Sequence, residues 1–491
     1  MACLEIRKYT HAAAAFATGL ILLAVATLHG AVANASPAVG QATVTGPVTG
    51  GNHGFPGTAT PVQLDAYGYV EQEFFLSGVA TSYGAVGNWG SDGQWSIAPT
   101  STAPYTTRIL VRRPLDPKHF NGTVLVEWLN VSGNVDVDPD FAYMREELLR
   151  GYAWVGVSAQ KAGIDSTAPP QLGPGAVPLK AWDPARYGAL NHPGDAYSYD
   201  IFSQAGGALR FPLGDDPLAG LQVQQLLAAG ESQSAFRLLT YANAVQPVAG
   251  VYDGILIHSR NGTGAPLGSG SVGGVPAPAR VRTDLAVPVF QLETETDMFG
   301  LSGGSEQLSF PAARQADTPM IRTWEIAGTA HSDLYYLQYL YAGGVQQYGI
   351  EGFRDLRPAF AVVNSGPQHY VANAALRSLR SWVSTGTAPA QALPLETSGG
   401  KIARDAHGNA VGGVRTPQVE VPVATLTGEG AGLAGRTVPF DAATIHALYP
   451  NHGAYVSAFL IDTRRTLKGG FILPNGAREM RIEAARSNVG R

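Results

Sequence analysis

The chain has 491 residues, 45% hydrophobic and only 14% charged, a balance that suits a globular protein with a large core or two domains and excludes a disordered chain. Its net charge is −5 and no basic cluster appears, so no nucleic acid or other polyanion is expected as a partner. The one cysteine, Cys3, lies in an N-terminal targeting segment, so the mature chain offers no disulfide, thiol nucleophile or cysteine metal ligand.

That segment comes first in chain order. Arg7 and Lys8 precede an apolar stretch over 12–33, and Ala33-Asn34-Ala35 places small residues at both specificity positions of a cleavage site. A signal peptide over 1–35, cleaved after Ala35, is expected, and with it a secreted or periplasmic protein. An uncleaved anchor is the alternative, because the stretch nears bilayer-spanning length, but His29-Gly30 interrupts it. No later stretch is apolar enough to cross a membrane, so no integral membrane segment is expected once the signal is removed. Residues 36–62, rich in Gly, Pro, Thr and Val, read as an extended leader.

Short β-rich segments follow at 69–75 (an edge strand), 107–111, 123–129, 153–158, 225–229, 254–258, 287–292 and 323–327. Helix-compatible stretches fall at 143–150, 197–209 and 233–244. This alternation predicts an α/β fold: a mostly parallel sheet of about eight strands with helices on both faces. Residues 161–223 form a long insertion between the fourth and fifth strands. A helix over 368–384 carries an apolar stripe (Val371, Leu376, Leu379, Trp382, Val383), with Gly386 in a stop position. It closes a main domain over 63–386. Residues 387–491 mix a β-like stretch, 419–426, with helices at 442–448, 455–467 and 477–485, and read as an accessory region packed on that domain.

The most informative stretch is Gly230-Glu231-Ser232-Gln233-Ser234, at the junction of the fifth strand and the helix after it. A strand, a tight turn with serine at its tip, and a helix make a nucleophile elbow, in which small residues two before and two after the serine let strand and helix pass closely. Gly230 meets the first demand, and Ser234 stands where a second glycine is more usual. An elbow serine needs a base, and the base needs an orienting carboxylate; in the fold that carries such an elbow the chain order is Ser, acid, His. The strand 287–292 runs into Glu293-Thr294-Glu295-Thr296-Asp297, and the strand 323–327 into Gly328-Thr329-Ala330-His331-Ser332-Asp333. Both candidate partners thus lie past the carboxyl ends of strands, the edge where open parallel sheets bind ligands.

These segments resemble the α/β-hydrolase superfamily and, more narrowly, a group of exported bacterial proteins described only as "alpha/beta hydrolase domain-containing". The matching residues are Val126-Glu127-Trp128-Leu129-Asn130, Gly151-Tyr152-Ala153-Trp154-Val155-Gly156-Val157-Ser158-Ala159-Gln160, 230–235, Glu295-Thr296-Asp297, 324–333 and Gly412-Gly413-Val414-Arg415-Thr416-Pro417. The resemblance implies an α/β-hydrolase fold over 63–386, with Ser232 as nucleophile and His331 as base. It implies Asp297 as acid, at the superfamily's usual distance past its strand, with Glu295 as the competitor. The oxyanion hole is expected from the backbone N–H of Gln233 and one from the loop after the third strand, at Asn130 or Val131.

Other residues receive plainer readings. Glu231 could perturb His331 or hydrogen-bond nearby backbone, and the structural role is preferred. His258 reads as a hydrogen-bonded structural histidine, Glu293 as part of a strand end, and Asp333 as a helix N-cap. Glu127 and Trp128 are expected to support the oxyanion loop. Asp136, Asp138 and Asp140 alternate as in a calcium loop but lack its glycine and closing glutamate, so a solvated acidic loop is expected. Neither cofactor nor metal is needed. The favoured activity is cleavage of a carboxylic ester, small-molecule or polymeric, through an acyl-enzyme. Lactone or amide hydrolysis, acyl transfer, and a non-catalytic binding protein on this scaffold are the alternatives. Oligomeric state has no signature in the sequence.

Overall fold

Ten strands form one sheet: β1 (Thr43–Thr45), β2 (Tyr69–Val86), β3 (Ser96–Pro114), β4 (Thr123–Trp128), β5 (Ala153–Val157), β6 (Leu213–Gly214), β7 (Gln225–Glu231), β8 (Gly254–His258), β9 (Val289–Thr294) and β10 (Ile321–Ile326). Their spatial order is β10-β9-β8-β7-β4-β5-β3-β2-β1-β6. The run from β5 to β10 is parallel throughout, and β3 and β2 continue it antiparallel. This computed structural model describes residues 39–270, 274–430 and 432–491, all within one compact unit. The expected signal peptide over 1–35 lies outside the described residues.

All eight expected strands are present, and two short ones extend the sheet. β1 comes from the stretch read as leader and pairs with β2; β6 comes from the 161–223 insertion and pairs with β1. The ladder with β1 takes in only Phe75 of the 69–75 segment, and Val48 N donates to Glu73 O (2.7 Å) beyond it. The larger departure is length. β2 and β3 run for 18 and 19 residues, paired in register from Tyr69↔Pro114 to Val86↔Ser96 with one irregularity at Ser82/Tyr83. Their distal halves are rich in Gly, Pro, Ser and Thr, which strand propensity disfavours. A helix from the insertion holds them in place. Asp200 accepts from Thr81 N (2.7 Å) and Tyr83 OH (3.1 Å), and Gln204 Nε2 donates to Val79 O (2.8 Å).

The main helices are α1 (Pro139–Leu148), α2 (Ser198–Arg210), α3 (Gln233–Thr240), α4 (Glu295–Phe299), α5 (Leu334–Tyr348), α6 (Gln368–Thr385), α7 (His452–Lys468) and α8 (Pro474–Arg486). Alternate side chains of the central strands feed opposite cores. Val124, Val126 and Leu226 pack with Phe202 of α2 and Leu238 of α3 on one face. Leu125 and Leu227 pack with Phe141 of α1 and Leu376 and Trp382 of α6 on the other. Both faces are covered, so these strands are apolar almost throughout rather than alternating. Gly386 ends α6 in the left-handed conformation (φ 71°), as its stop position predicts. The helix expected over 233–244 stays α-helical only to Thr240 and then widens into a π turn over Tyr241–Val245.

The 387–491 region has a small core of its own, in which Tyr455, Phe459, Ile472 and Met480 surround Tyr370 of α6. The stretch read as β-like over 419–426 is one helical turn, Pro417–Glu420, then a strand, Ala424–Thr427, paired with Arg436–Pro439.

Candidate active site

Ser232 sits between the last residue of β7 and the first of α3, with φ 59° and ψ −119°. A non-glycine residue pays about 1–3 kcal/mol for such a conformation and keeps it only where the surroundings enforce it. Here Ser232 N donates to His258 O at the end of β8 (2.9 Å). Gly230 makes the crossing possible, because a Cβ there would stand 3.0 Å from Ser234 Cβ and 3.1 Å from Leu238 Cδ1.

The loops after β9 and β10 bring the other two groups to the serine. His331 Nε2 is 2.7 Å from Ser232 Oγ, and His331 Nδ1 is 2.7 Å from Asp297 Oδ1. Asp297 is fixed by its own helix start: Oδ2 accepts from Thr294 N (2.6 Å) and Thr294 Oγ1 (2.8 Å), a capping box at the head of α4. A proton on Nδ1 directed at Asp297 leaves Nε2 free to accept from the serine hydroxyl. Burial works against the imidazolium, but the Glu231 and Asp297 carboxylates outweigh it and hold His331 up at about 9.

Glu295, the competing acid, is turned away from the imidazole. Its carboxylate accepts from Gly328 N (2.6 Å) and Gly428 N (3.1 Å) and pairs with Arg404 Nη1 (2.7 Å). The arrangement therefore brings together Ser232, His331 and Asp297, and leaves Glu295 as a tether to the C-terminal region.

For the oxyanion hole, Asn130 is corrected. Its backbone N–H already donates to Val137 O (3.0 Å), closing the loop after β4. Its side chain instead donates to Glu231 O (3.1 Å) and reaches Glu231 Oε2 (3.4 Å), tying that loop to the elbow. Among the described residues the backbone N–H groups of Val131 and Gln233 have no acceptor, and Gln233 opens a helix, where N–H groups lack intrahelical partners. Glu231 is corrected as well. Among the described residues no backbone donor meets its carboxylate; Oε1 lies 3.2 Å from His331 Nε2, beside the aligned bond to Ser232.

The three alternating aspartates are not a solvated loop. Asp136 and Asp138 pair with Arg108 (2.9 Å) and Arg112 (2.5 Å) of β3, and Asp140 holds His258 Nδ1 (2.8 Å), all buried. Sequence spacing cannot show that β3 carries arginines facing them. Glu127 has a sharper role than general support: it accepts from Asp140 N (2.9 Å), Phe141 N (2.8 Å) and Trp154 Nε1 (2.8 Å), capping α1. Trp128 Nε1 donates to Gln160 (3.0 Å). His258 and Asp333 stand as read, the first bonded to Asp140 and Gln368, the second capping α5 through Tyr336 N (3.1 Å). Among the described residues no group of His, Cys, Asp or Glu is placed to hold a metal ion, and no helix is long and apolar enough to cross a membrane.

One part of the site had no signal in the sequence. The C-terminal hairpin braces both loops that carry Asp297 and His331. Thr296 Oγ1 donates to Gly428 O (2.8 Å) and accepts from His331 N (3.2 Å), and Ser332 N donates to Leu433 O (2.9 Å). A Cβ on Gly428 would stand 2.4 Å from Thr296 N, so the approach is backbone against backbone.

A parallel sheet in this order, with the elbow after the central β7 and a histidine after β10, defines an α/β-hydrolase fold. The chain belongs to the alpha/beta hydrolase domain family, whose sequence profile matches residues 44–481. No curated protein matches it. Parts of the chain are also similar, at low identity and low TM-score, to solved structures. A member of a/b serine hydrolase without lid from Xanthomonas campestris is 13% identical, with 55% of this chain covering 94% of that one (TM-score 0.23). An alpha-beta serine hydrolase homologue from Coxiella burnetii is 11% identical over 48% of this chain and 88% of its own (0.26). The rice cell wall degrading esterase LipA from Xanthomonas oryzae is 9% identical over 45% of this chain and 50% of its own (0.23).

Proposed function

We propose that the protein is a serine hydrolase that cleaves carboxylic esters, exported by a signal peptide removed after Ala35. What supports the reading is one observation: a strained elbow serine whose Oγ lies 2.7 Å from an imidazole that is itself held 2.7 Å from a buried carboxylate. Ser232 Oγ attacks the ester carbonyl while its proton passes to His331 Nε2. The oxyanion is received by the N–H groups of Gln233 and Val131. Collapse of the tetrahedral intermediate expels the alcohol, which takes the proton from Nε2. Water, activated by the same nitrogen, then releases the acid and restores the serine. Asp297 keeps the imidazole in the tautomer that can accept and stabilises the imidazolium that forms.

A fluorophosphonate probe tests this. Covalent labelling at Ser232, lost in Ser232→Ala, with hydrolysis of p-nitrophenyl esters lost in the same variant, is the expected result. A folded protein that neither labels nor hydrolyses refutes the reading and favours a binding protein on a hydrolase scaffold.

A further inference from the structure

His331 Nε2 faces two side-chain oxygens rather than one. Ser232 Oγ takes the aligned hydrogen bond at 2.7 Å, and Glu231 Oε1 stands beside it at 3.2 Å. No other donor reaches Glu231 Oε1 among the described residues, while Asn130 Nδ2 holds the far oxygen (3.4 Å) and the backbone carbonyl of the same residue (3.1 Å). The carboxylate is thus aimed at the imidazole by the loop after β4 and is buried. A side chain that merely closed the elbow would bond to backbone, and this one does not. Resting on the serine-hydrolase reading, we propose that Glu231 is a positioning residue, a second carboxylate that shares with Asp297 the task of holding the His331 imidazolium formed when Ser232 gives up its proton.

The balance of the step is simple. The Oγ–H bond breaks, Oγ bonds the carbonyl carbon, and the proton becomes Nε2–H, now between the leaving oxygen and Glu231 Oε1. A carboxylate at that distance favours the charged imidazole. It stabilises the state in which the proton has moved, and it raises the pH at which the resting base becomes free. Several charged or titratable groups face Glu231. His331 and Asp297 come from the loops after β10 and β9, His258 from β8, Asp140 and Tyr143 from α1, and Tyr336 from α5. Burial lifts Glu231 itself to about 7, against the two histidines, with Asp140 and Asp297 adding to the lift. Its influence on His331 therefore fades as pH falls below that value.

The test is the pH profile of kcat/KM for a p-nitrophenyl ester in the full-length mature enzyme. In Glu231→Gln the acid limb moves to lower pH by about one unit or more. The plateau falls by up to about tenfold per unit of that shift. Glu231→Asp, which keeps the charge, returns the limb toward its original place. A Glu231→Gln enzyme whose plateau falls while its limb stays put overturns the proposal, because packing alone would do that. Should Glu231→Gln fail to fold, the unmutated protein decides. The His331 Nδ1 proton resonance must respond to the ionisation of Glu231 as well as to that of the ring itself, and a single step overturns the proposal. Failure of the hydrolase reading is seen separately, as absence of fluorophosphonate labelling, and the resonance still reports on the Glu231–His331 pair.

Discussion

Replacing Asp297 by Asn should abolish nearly all activity without unfolding the site, and the structure says which way the new amide must face. Asp297 Oδ2 accepts two hydrogen bonds, from Thr294 N (2.6 Å) and Thr294 Oγ1 (2.8 Å). Thr294 N is an obligatory donor, so the amide must put its carbonyl oxygen there. Its NH2 group then occupies the place of Oδ1, 2.7 Å from His331 Nδ1. A donor in that position forces Nδ1 to accept and moves the ring proton to Nε2, where the Glu231 carboxylate 3.2 Å away welcomes it. An imidazole with its proton on Nε2 cannot take the serine proton. Trapping the wrong tautomer in this way costs about 10⁴ in kcat, or ~5.4 kcal/mol of transition-state stabilisation. The assay is steady-state hydrolysis of a p-nitrophenyl ester, with circular dichroism to confirm the fold. Retention of more than a few per cent of kcat in Asp297→Asn, or a comparable collapse in Glu295→Gln, would refute the assignment of the acid.

Further outcomes follow from the bracing of the site. Arg404→Met strips the cation from Glu295, which is fully buried while Arg404 is 21% exposed. Breaking a buried pair costs about 3–5 kcal/mol, and partial exposure lowers this to ~2–4 kcal/mol. Guanidinium denaturation should show that loss, and a smaller one in the double variant Glu295→Gln/Arg404→Met. Gly428→Ala would push a Cβ to 2.4 Å from Thr296 N, forcing the hairpin off the loops that carry Asp297 and His331. Displacement on the 1 Å scale should lower kcat by about 10²-fold, and unchanged kinetics would show that the hairpin does not position the site. Burial raises the Asp333 carboxyl from 3.8 to about 7, so the folded chain binds that proton more tightly than the unfolded one. Its ionisation costs nothing below about pH 4 and costs progressively more up to pH 7. Asp333→Asn keeps the cap on Tyr336 N and removes the titration, so its denaturation midpoint should gain on that of the unmutated protein across this range. A gap that is flat with pH would exclude the effect.

The elements that could be read from local pattern were those whose cause is local. The central strands are buried on both faces and are apolar for that reason, and the small residues at 230 and 234 meet the steric demand of a tight turn. The placing of an acid and a histidine past the ends of two late strands follows from chain order. The distal halves of β2 and β3 were not legible, because Gly, Pro, Ser and Thr become strand there only under the side chains of Asp200 and Gln204, contributed from about a hundred residues further on. Nor was the choice between Asp297 and Glu295, two carboxylates two residues apart on one short turn. What separates them is that Thr294 and His331 surround one, and Gly328, Arg404 and Gly428 the other. The sequence alone determined that a serine stands on a cramped strand-to-helix turn within an alternating α/β chain. Only the tertiary structure decided which acid meets the imidazole, that Asn130 spends its N–H on Val137, and that Glu231 reaches His331. Those outcomes depend on distances between segments far apart in the chain, which residue types and spacing do not encode.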